Sequence, residues 1–433
     1  MLLRFSLYGF LKNQRYFEPF LLLAFLDKGM SFFAIGALVA FREVCINLLG
    51  IPTGAIADTC GRRLAMILSF AAYIASFLIF GLSSSPLLLY PAMLLFAVGE
   101  SFREGTHKAM IFTWLRINGR IDERTRVYGF TRSWSQLGSA LSVILAAVFV
   151  VATDGYRYVF LFAIIPYALN IVNFLGYPRE LDGDIDPRAS LRAVGAHLRD
   201  AVVQAVRKPG LRRLMLESMG FEGVFKAVKD YLQPVLKVFA AGTLAHAGLS
   251  ALPGFERWTD TQRGAVMIGA VYFVLYLLSA YGSRQAHRLT AALRGEERAS
   301  RALWAAVAAL YAGVLLAALL EGPARGAVLI PAFVLLHAAQ SVWRPVIISR
   351  FDSHTREQQG ATMLSIESQA QGLATLVLAP LLGLAIDALR ARGLEGGAEF
   401  WPVGAVGLVA ALAFIVTARA KRATPDGPAP GTA

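Results

Sequence analysis

Charge is scarce in this chain of 433 residues. Asp, Glu, Lys and Arg together make up 16% of it, against 56% hydrophobic residues, and the mean hydropathy is +0.54. That balance excludes an ordinary soluble protein, in which about a quarter of residues carry charge. Cysteine is nearly absent: Cys45 and Cys60 lie on or beside one expected helix, lack metal-ligand or redox spacing, and read as packing residues. The histidines, His107, His197, His246, His287, His337 and His354, are scattered. With no H-E-x-x-H and no G-x-S-x-G, neither a metal nor a nucleophile constellation is expected, which argues against an enzyme and against any cofactor. An ATP-driven pump is excluded by the lack of a G-x-x-x-x-G-K-[ST] loop. The net charge of +13 does not point to nucleic acid, because the arginines sit in short loops with no basic stripe between aromatics.

What is present is a series of apolar runs near the length of a membrane crossing. They predict an all-α polytopic membrane protein with twelve helices, at about 3–27, 31–57, 64–84, 86–115, 126–152, 157–177, 211–239, 263–282, 301–320, 325–349, 358–386 and 400–419. The first is the most polar, with Lys12, Asn13, Gln14, Arg15, Glu18 and Pro19 inside it. Arg15 and Glu18, three residues apart, can pair on one face. No small-residue cleavage site follows the first apolar run, so that span is expected to serve as its own insertion signal. With both termini in the cytoplasm, roughly 25 Lys and Arg fall on the inner side and roughly 7 on the outer, which sets the orientation. The expected location is the cytoplasmic (inner) membrane.

The spans divide into an N-terminal half, 1–177, and a C-terminal half, 211–419. Between them, residues 178–210 begin as a turn-rich linker. They continue with Leu191, Val194, Leu198, Val202 and Ala205 at helical spacing near Arg188, Arg192 and Arg199. This pattern suits either an amphipathic helix on the inner membrane face or a solvated linker helix. The tail, 420–433, is rich in Pro, Gly and Ala and is expected to be disordered. A weak repeat supports the division. Gly129-Phe-Thr131 and Gly360-Ala-Thr362 each open a span, and Glu100-Ser-Phe-Arg103 matches Gln340-Ser-Val-Trp-Arg344 loosely.

The hinge after the second span reads Gly54-Ala-Ile-Ala-Asp58-Thr-Cys-Gly61-Arg62-Arg63. The pattern G-x-x-x-D-x-x-G-R-[RK], placed on the basic side between two spans, resembles the signature loop of the major facilitator superfamily. The resemblance covers nearly the whole chain, although only this loop is specific. It implies two six-helix halves, with helices 1, 4, 7 and 10 lining a central path and helices 3, 6, 9 and 12 facing lipid. It also implies that Asp58 braces the halves near the start of helix 11, where a helix N-terminus and guanidinium groups favour a carboxylate. Gly54 would allow close helix contact and Gly61 a tight turn; a plain topological anchor formed by Arg62 and Arg63 is the simpler alternative. Two departures from the drug-efflux pattern stand out. Helix 5 has no Gly-Pro motif, and Thr113 stands where many efflux members carry aspartate.

Independently of that resemblance, about seventeen ionisable residues fall inside the expected spans; exposed to lipid they would cost on the order of 50 kcal/mol. No domain's stability absorbs that. They must face one another or a water-filled path. They lie on helices 1, 2, 4, 5, 7, 10 and 11, an order that agrees with the family's. The expected path residues are Arg15, Glu18, Arg42, Glu43, Glu100, Arg103, Glu104, His107, Lys108, Arg132, Glu222, Lys226, Asp230, Gln340, Arg344 and Glu367. In a continuous helix 4, Glu100, Arg103, Glu104, His107 and Lys108 share one face, as a polar wall or as a salt-bridge ladder. Glu222 with Lys226, and Lys226 with Asp230, are i,i+4 pairs on helix 7, where Pro234 is a candidate hinge. Glu367 can neutralise Arg344. Glu104 and Glu222, each with a lysine at i+4, lead the proton-coupling candidates, followed by Glu18 and Asp230.

The resulting expectation is a monomeric secondary transporter for a small charged or zwitterionic solute, partnered by the lipid bilayer and by protons. A drug-type efflux carrier and a non-transporting receptor on the same fold are the alternatives.

Overall fold

The computed structural model describes residues 1–182, 203, 207–248, 255–352 and 360–423; within these the side chains of 51, 55, 58, 124, 125, 360–362 and 418–423 are not described. No strand occurs among the described residues. The helices are α1 (Leu2–Lys12), α2 (Leu21–Asp27), α3 (Phe32–Cys60), α4 (Arg62–Leu82), α5 (Pro86–Arg103), α6 (Thr106–Ile117), α7 (Arg124–Thr153) and α8 (Arg157–Leu175). There follow α9 (Pro209–Ser218), α10 (Val224–Val228), α11 (Leu232–His246), α12 (Asp260–Ala292), α13 (Glu296–Ala317), α14 (Gly322–Asp352), α15 (Gly360–Arg390) and α16 (Trp401–Ala423).

Among the described residues, nine of the helical stretches are long and apolar enough to cross a membrane. The remaining three crossings, the first, fourth and seventh, are broken and carry charge at or near their breaks. Together they make the twelve spans of the fold. The first crossing, expected as one helix, is instead α1 and α2 separated by Asn13–Phe17 and a 3-10 turn at Glu18–Phe20. Pro19 has no N–H to donate to the preceding turn, so the break falls beside it. The fourth crossing breaks between α5 and α6, where Glu104 is extended (ψ 122°) and Gly105 takes φ +77°, a conformation open to glycine. The seventh runs α9, a π-turn at Met219–Gly223, α10, a 3-10 turn at Lys229–Tyr231, then α11. Pro234 sits in the first turn of α11 and has no N–H for the Asp230 carbonyl four residues back, so the crossing is interrupted beside it, at Lys229–Tyr231.

The lipid-facing spans invert the usual amphipathic rule. On α8, Ile165, Leu169 and Val172 are exposed while Phe160, Ala163, Tyr167, Asn170 and Phe174 are buried. Val409, Leu412 and Val416 make a similar outer stripe on α16. Inside the first half, rings do the packing: Phe77 meets Tyr167 edge-on at 4.9 Å and Phe17 stacks on Phe160 at 6.0 Å.

The two halves meet through α3 against α15 and α7 against α12. Glycine sets the first approach. A Cβ on Gly36 would lie 2.3 Å from the Ala379 carbonyl oxygen, and one on Gly383 would lie 2.3 Å from that of Phe32. These contacts sit at the end of the bundle opposite Gly61. The Gly61 end, rich in arginine, is called the basic end below.

Candidate functional site: a charged cleft between two halves

The three broken crossings carry charge at or beside their breaks, where helix geometry is lost and side chains can turn toward the space between the halves. Beside the first break, Arg15 Nη1 lies 3.4 Å from Glu18 Oε2. At the end of α5, Arg103 pairs with Glu100, and the Tyr73 hydroxyl donates to the same carboxylate. From α3, Arg42 pairs with Glu43 at 2.7 Å and faces the charges of Asp230 and Glu100. The Glu43 carboxylate reaches the second half: a Cβ on Gly372 of α15 would meet its Oε2 at 2.9 Å.

On the second half, Lys229 pairs with Asp230 at 3.0 Å within the 3-10 turn. Glu222, buried in the π-turn, accepts from the Gln340 amide at 3.1 and 3.2 Å. Glu367 is wholly buried. Its Oε1 takes Arg344 Nη1 at 2.6 Å together with the Ser218 hydroxyl and the Gln371 amide, while Oε2 has no hydrogen-bond partner among the described residues. Pairing in this way meets the desolvation cost of charge in a membrane interior.

Several expected arrangements are overturned. The break at Glu104–Gly105 prevents Glu100, Arg103, Glu104, His107 and Lys108 from sharing one face. Lys108 is exposed, with its ammonium over the rings of Phe112 and Tyr128 at 5.6 and 5.7 Å, so the Glu104–Lys108 pair does not form. His107 turns into the first half, stacked on Tyr8 at 3.7 Å, with Nε2 3.3 Å from the Tyr177 hydroxyl. On the seventh crossing, the π-turn changes the register between Glu222 and Lys226, and the 3-10 turn does the same before Asp230. Among the described residues Lys226 makes no ion pair with either; its charge acts at longer range on Glu222 and on Glu104 of the other half. Arg132 is exposed on α7 and likewise has no ion-pair partner among the described residues.

The hinge motif is partly described. Gly61 takes φ +93°, the turn expected of it, but among the described residues no atom lies within 4 Å of a Cβ added at Gly54. Arg62 Nη1 donates to the Thr113 hydroxyl at 2.9 Å, and the Arg63 N–H to Asp182 Oδ1 at 2.6 Å, which caps α4. Cys60 is exposed, not a packing residue. The Asp58 side chain, the linker helix expected near Leu191 and the tail past Ala423 lie outside what is described.

Sequence reasoning missed the groups that join the halves. Asp387, near the end of α15, accepts from the N–H groups of Phe32 and Phe33 at 3.0 and 2.8 Å, capping α3 across the interface. Gln233 Oε1 accepts from the N–H of Leu22 at 2.9 Å at the start of α2, and its amide donates to the Glu18 carbonyl at 3.1 Å. Thr259 bonds Asp154 at 2.5 Å, and Gln262 bonds the Val151 carbonyl at 3.0 Å. All lie at the end opposite Gly61. Among the described residues no hydrogen bond or ion pair joins the halves at the basic end. Just outside the spans at the joined end, Lys28 donates to the Ser83 carbonyl at 2.7 Å, and burial lowers its ammonium below the ordinary lysine range. Arg350, also passed over, is buried with its guanidinium bidentate on Glu217 at 2.9 Å, knitting α9 to α14 inside the second half. An apolar groove of about 480 Å³ lies between α7 and α12, lined by residues such as Ile144, Val148, Gly269 and Phe273. It contains no ionisable group and is distinct from the charged cleft.

Residues 13–374 match the family model described as Major Facilitator Superfamily. No curated protein matches in sequence. Among solved structures, a variant of the nucleoside transporter NupG aligns with a TM-score of 0.76 at 12% identity, over 96% of this chain and 99% of that one. The peptide transporter POT in complex with sulfate aligns at 0.69 and 14% identity, over 97% and 94%. A bacterial homologue of the human lysosomal transporter Spinster, inward-facing and unoccupied, aligns at 0.67 and 15%, over 97% and 95%. At these identities the likeness is one of fold.

Proposed function

This chain belongs to the Major Facilitator Superfamily, and on that premise we propose that it carries a small charged or zwitterionic solute across the cytoplasmic membrane by alternating access coupled to protons. The observation that carries the reading is the charged cleft at three broken crossings, between halves that, among the described residues, are hydrogen-bonded to each other at the end opposite Gly61. A rigid scaffold protein gains nothing from unwound backbone and half-buried ion pairs within its membrane crossings. A carrier needs both, because discontinuous helices free polar groups for a solute and ion pairs can exchange partners as it enters. The arginine-rich end faces the cytoplasm with both termini, by the positive-inside rule. The state described is then closed outside, and the Asp58 motif with Arg62 and Arg63 would brace the basic end in the opposite state. The protein acts as a monomer, each chain holding a complete cleft.

Glu222 is the first candidate for proton coupling. Among the described residues it makes no ion pair, its contacts being the Gln340 amide and the more distant charges of Arg344 and Lys226, so gaining or losing a proton breaks no direct pair; Glu104, Glu18 and Asp230 follow. The alternatives, a drug-type efflux carrier and a receptor, differ in what crosses. The test is counterflow in proteoliposomes, using solutes selected by thermal stabilisation of the purified protein. Exchange in wild type is expected. Glu222→Gln should keep exchange and lose accumulation driven by a proton gradient. Absence of exchange for every stabilising solute would leave a receptor; undiminished proton-driven accumulation in Glu222→Gln would remove that residue from coupling.

A further inference from the structure

The cations of the cleft are not evenly matched: on the second half Lys226, without an ion pair among the described residues, still has the charges of Glu222 and Glu104 to act on, so the cations with the least negative charge about them lie on the first half. On the second half Lys229 and Arg344 each have a carboxylate within 3.0 Å. On the first half, Arg15 and Arg103 have one each, Glu18 and Glu100. Lys12, at the last residue of α1 before the break, makes no ion pair among the described residues; its ammonium rests over the Tyr8 ring at 5.5 Å. The charged groups it faces are Arg103, Glu100, Arg15 and Arg132, three cations against one anion. Arg132 is placed beside it by backbone contact. A Cβ on Gly9 would lie 3.1 Å from the Thr131 carbonyl oxygen, and Gln14 donates to the Gly138 carbonyl at 3.2 Å, so α1 and α7 run together along this stretch. Around α7, Arg132 lies about 140–160° from the lipid-facing Phe130 and Leu137 at 100° per residue, so it points inward.

We propose that Lys12 and Arg132 form the subsite for the anionic group, carboxylate or phosphate, of the transported solute. The unmatched cations hold open a place for charge that the protein does not fill. Lysine supplies a point charge and arginine a fork, and together they can grip one anionic head. Lys12 sits at the break of the first crossing, so an anion held there is also held by the segment that carries Arg15 and Glu18.

This inference rests on the carrier reading, and binding separates the two. Full-length protein is purified, and its thermal midpoint is measured at constant ionic strength with inorganic phosphate, succinate, chloride or sorbitol. Phosphate or succinate should raise the midpoint, and the one that does so names the head group. Lys12→Gln and Arg132→Gln should each weaken that response about tenfold, the loss of one charge-assisted contact. Lys12→Arg should restore it. Lys237→Gln, which removes a cation placed over Tyr156 at the far end, should leave it unchanged. Arg132 is exposed, so its replacement tests the site even if Lys12→Gln does not fold. No stabilisation by either anion, or equal stabilisation in Arg132→Gln, overturns the subsite. Anion binding without counterflow would instead overturn the carrier reading alone.

Discussion

Asp387 is one carboxylate holding two halves together. It caps the first two N–H groups of α3 from the other half, at 3.0 and 2.8 Å. If the joined end must part during transport, this cap is lost in the opposite state, so its energy enters the equilibrium between the two. A helix N-cap contributes about 1 kcal/mol, and a carboxylate at a helix N-terminus about 0.5 kcal/mol more. Asp387→Ala should therefore shift the equilibrium toward the separated state by about 1.5 kcal/mol, or roughly tenfold. Asp387→Asn keeps one acceptor and loses the charge, and should shift it about threefold. Spin labels at Leu87 and Leu319, both highly exposed and one on each half near that end, report the separation after Cys45 and Cys60 are replaced. The long-distance population should grow in the order wild type, Asn, Ala. A folded Asp387→Ala protein with the wild-type distance distribution would refute the latch.

Gly383→Val places methyl groups where a Cβ alone would approach the Phe32 carbonyl oxygen to 2.3 Å, and the same labels should move apart. Arg344→Gln leaves Glu367 buried without its cation, a loss of about 3–5 kcal/mol. Its thermal midpoint should fall well below that of the double replacement Arg344→Met with Glu367→Leu. Asp58→Asn should insert and express normally yet transport poorly, because a bracing charge is gone from one state; full transport by a normally expressed variant would count against that role.

The crossings without breaks were legible from composition and periodicity. Long apolar runs can be nothing but spans once water is excluded, and α4, α8, α13 and α16 lie where hydropathy puts them. The hinge Gly61-Arg62-Arg63 was legible as well, because a turn glycine followed by arginines is a local instruction. The positions of the charges along the chain were also visible, together with the need to shelter them. Their partners were not. Pairing at i,i+4 presumes an unbroken helix, and the register of the fourth and seventh crossings is altered by Gly105, a π-turn and a 3-10 turn. No neighbouring residue announces those changes strongly enough to be read. Asp387 on Phe32 and Phe33, or Gln233 on Leu22, join positions more than two hundred residues apart. Such contacts depend on how two halves dock, which local spacing does not encode. Sequence alone determined that this chain crosses a membrane many times with charge inside it. Only the tertiary structure decided which charges are matched, and that Lys12 and Arg132 make no ion pair among the described residues.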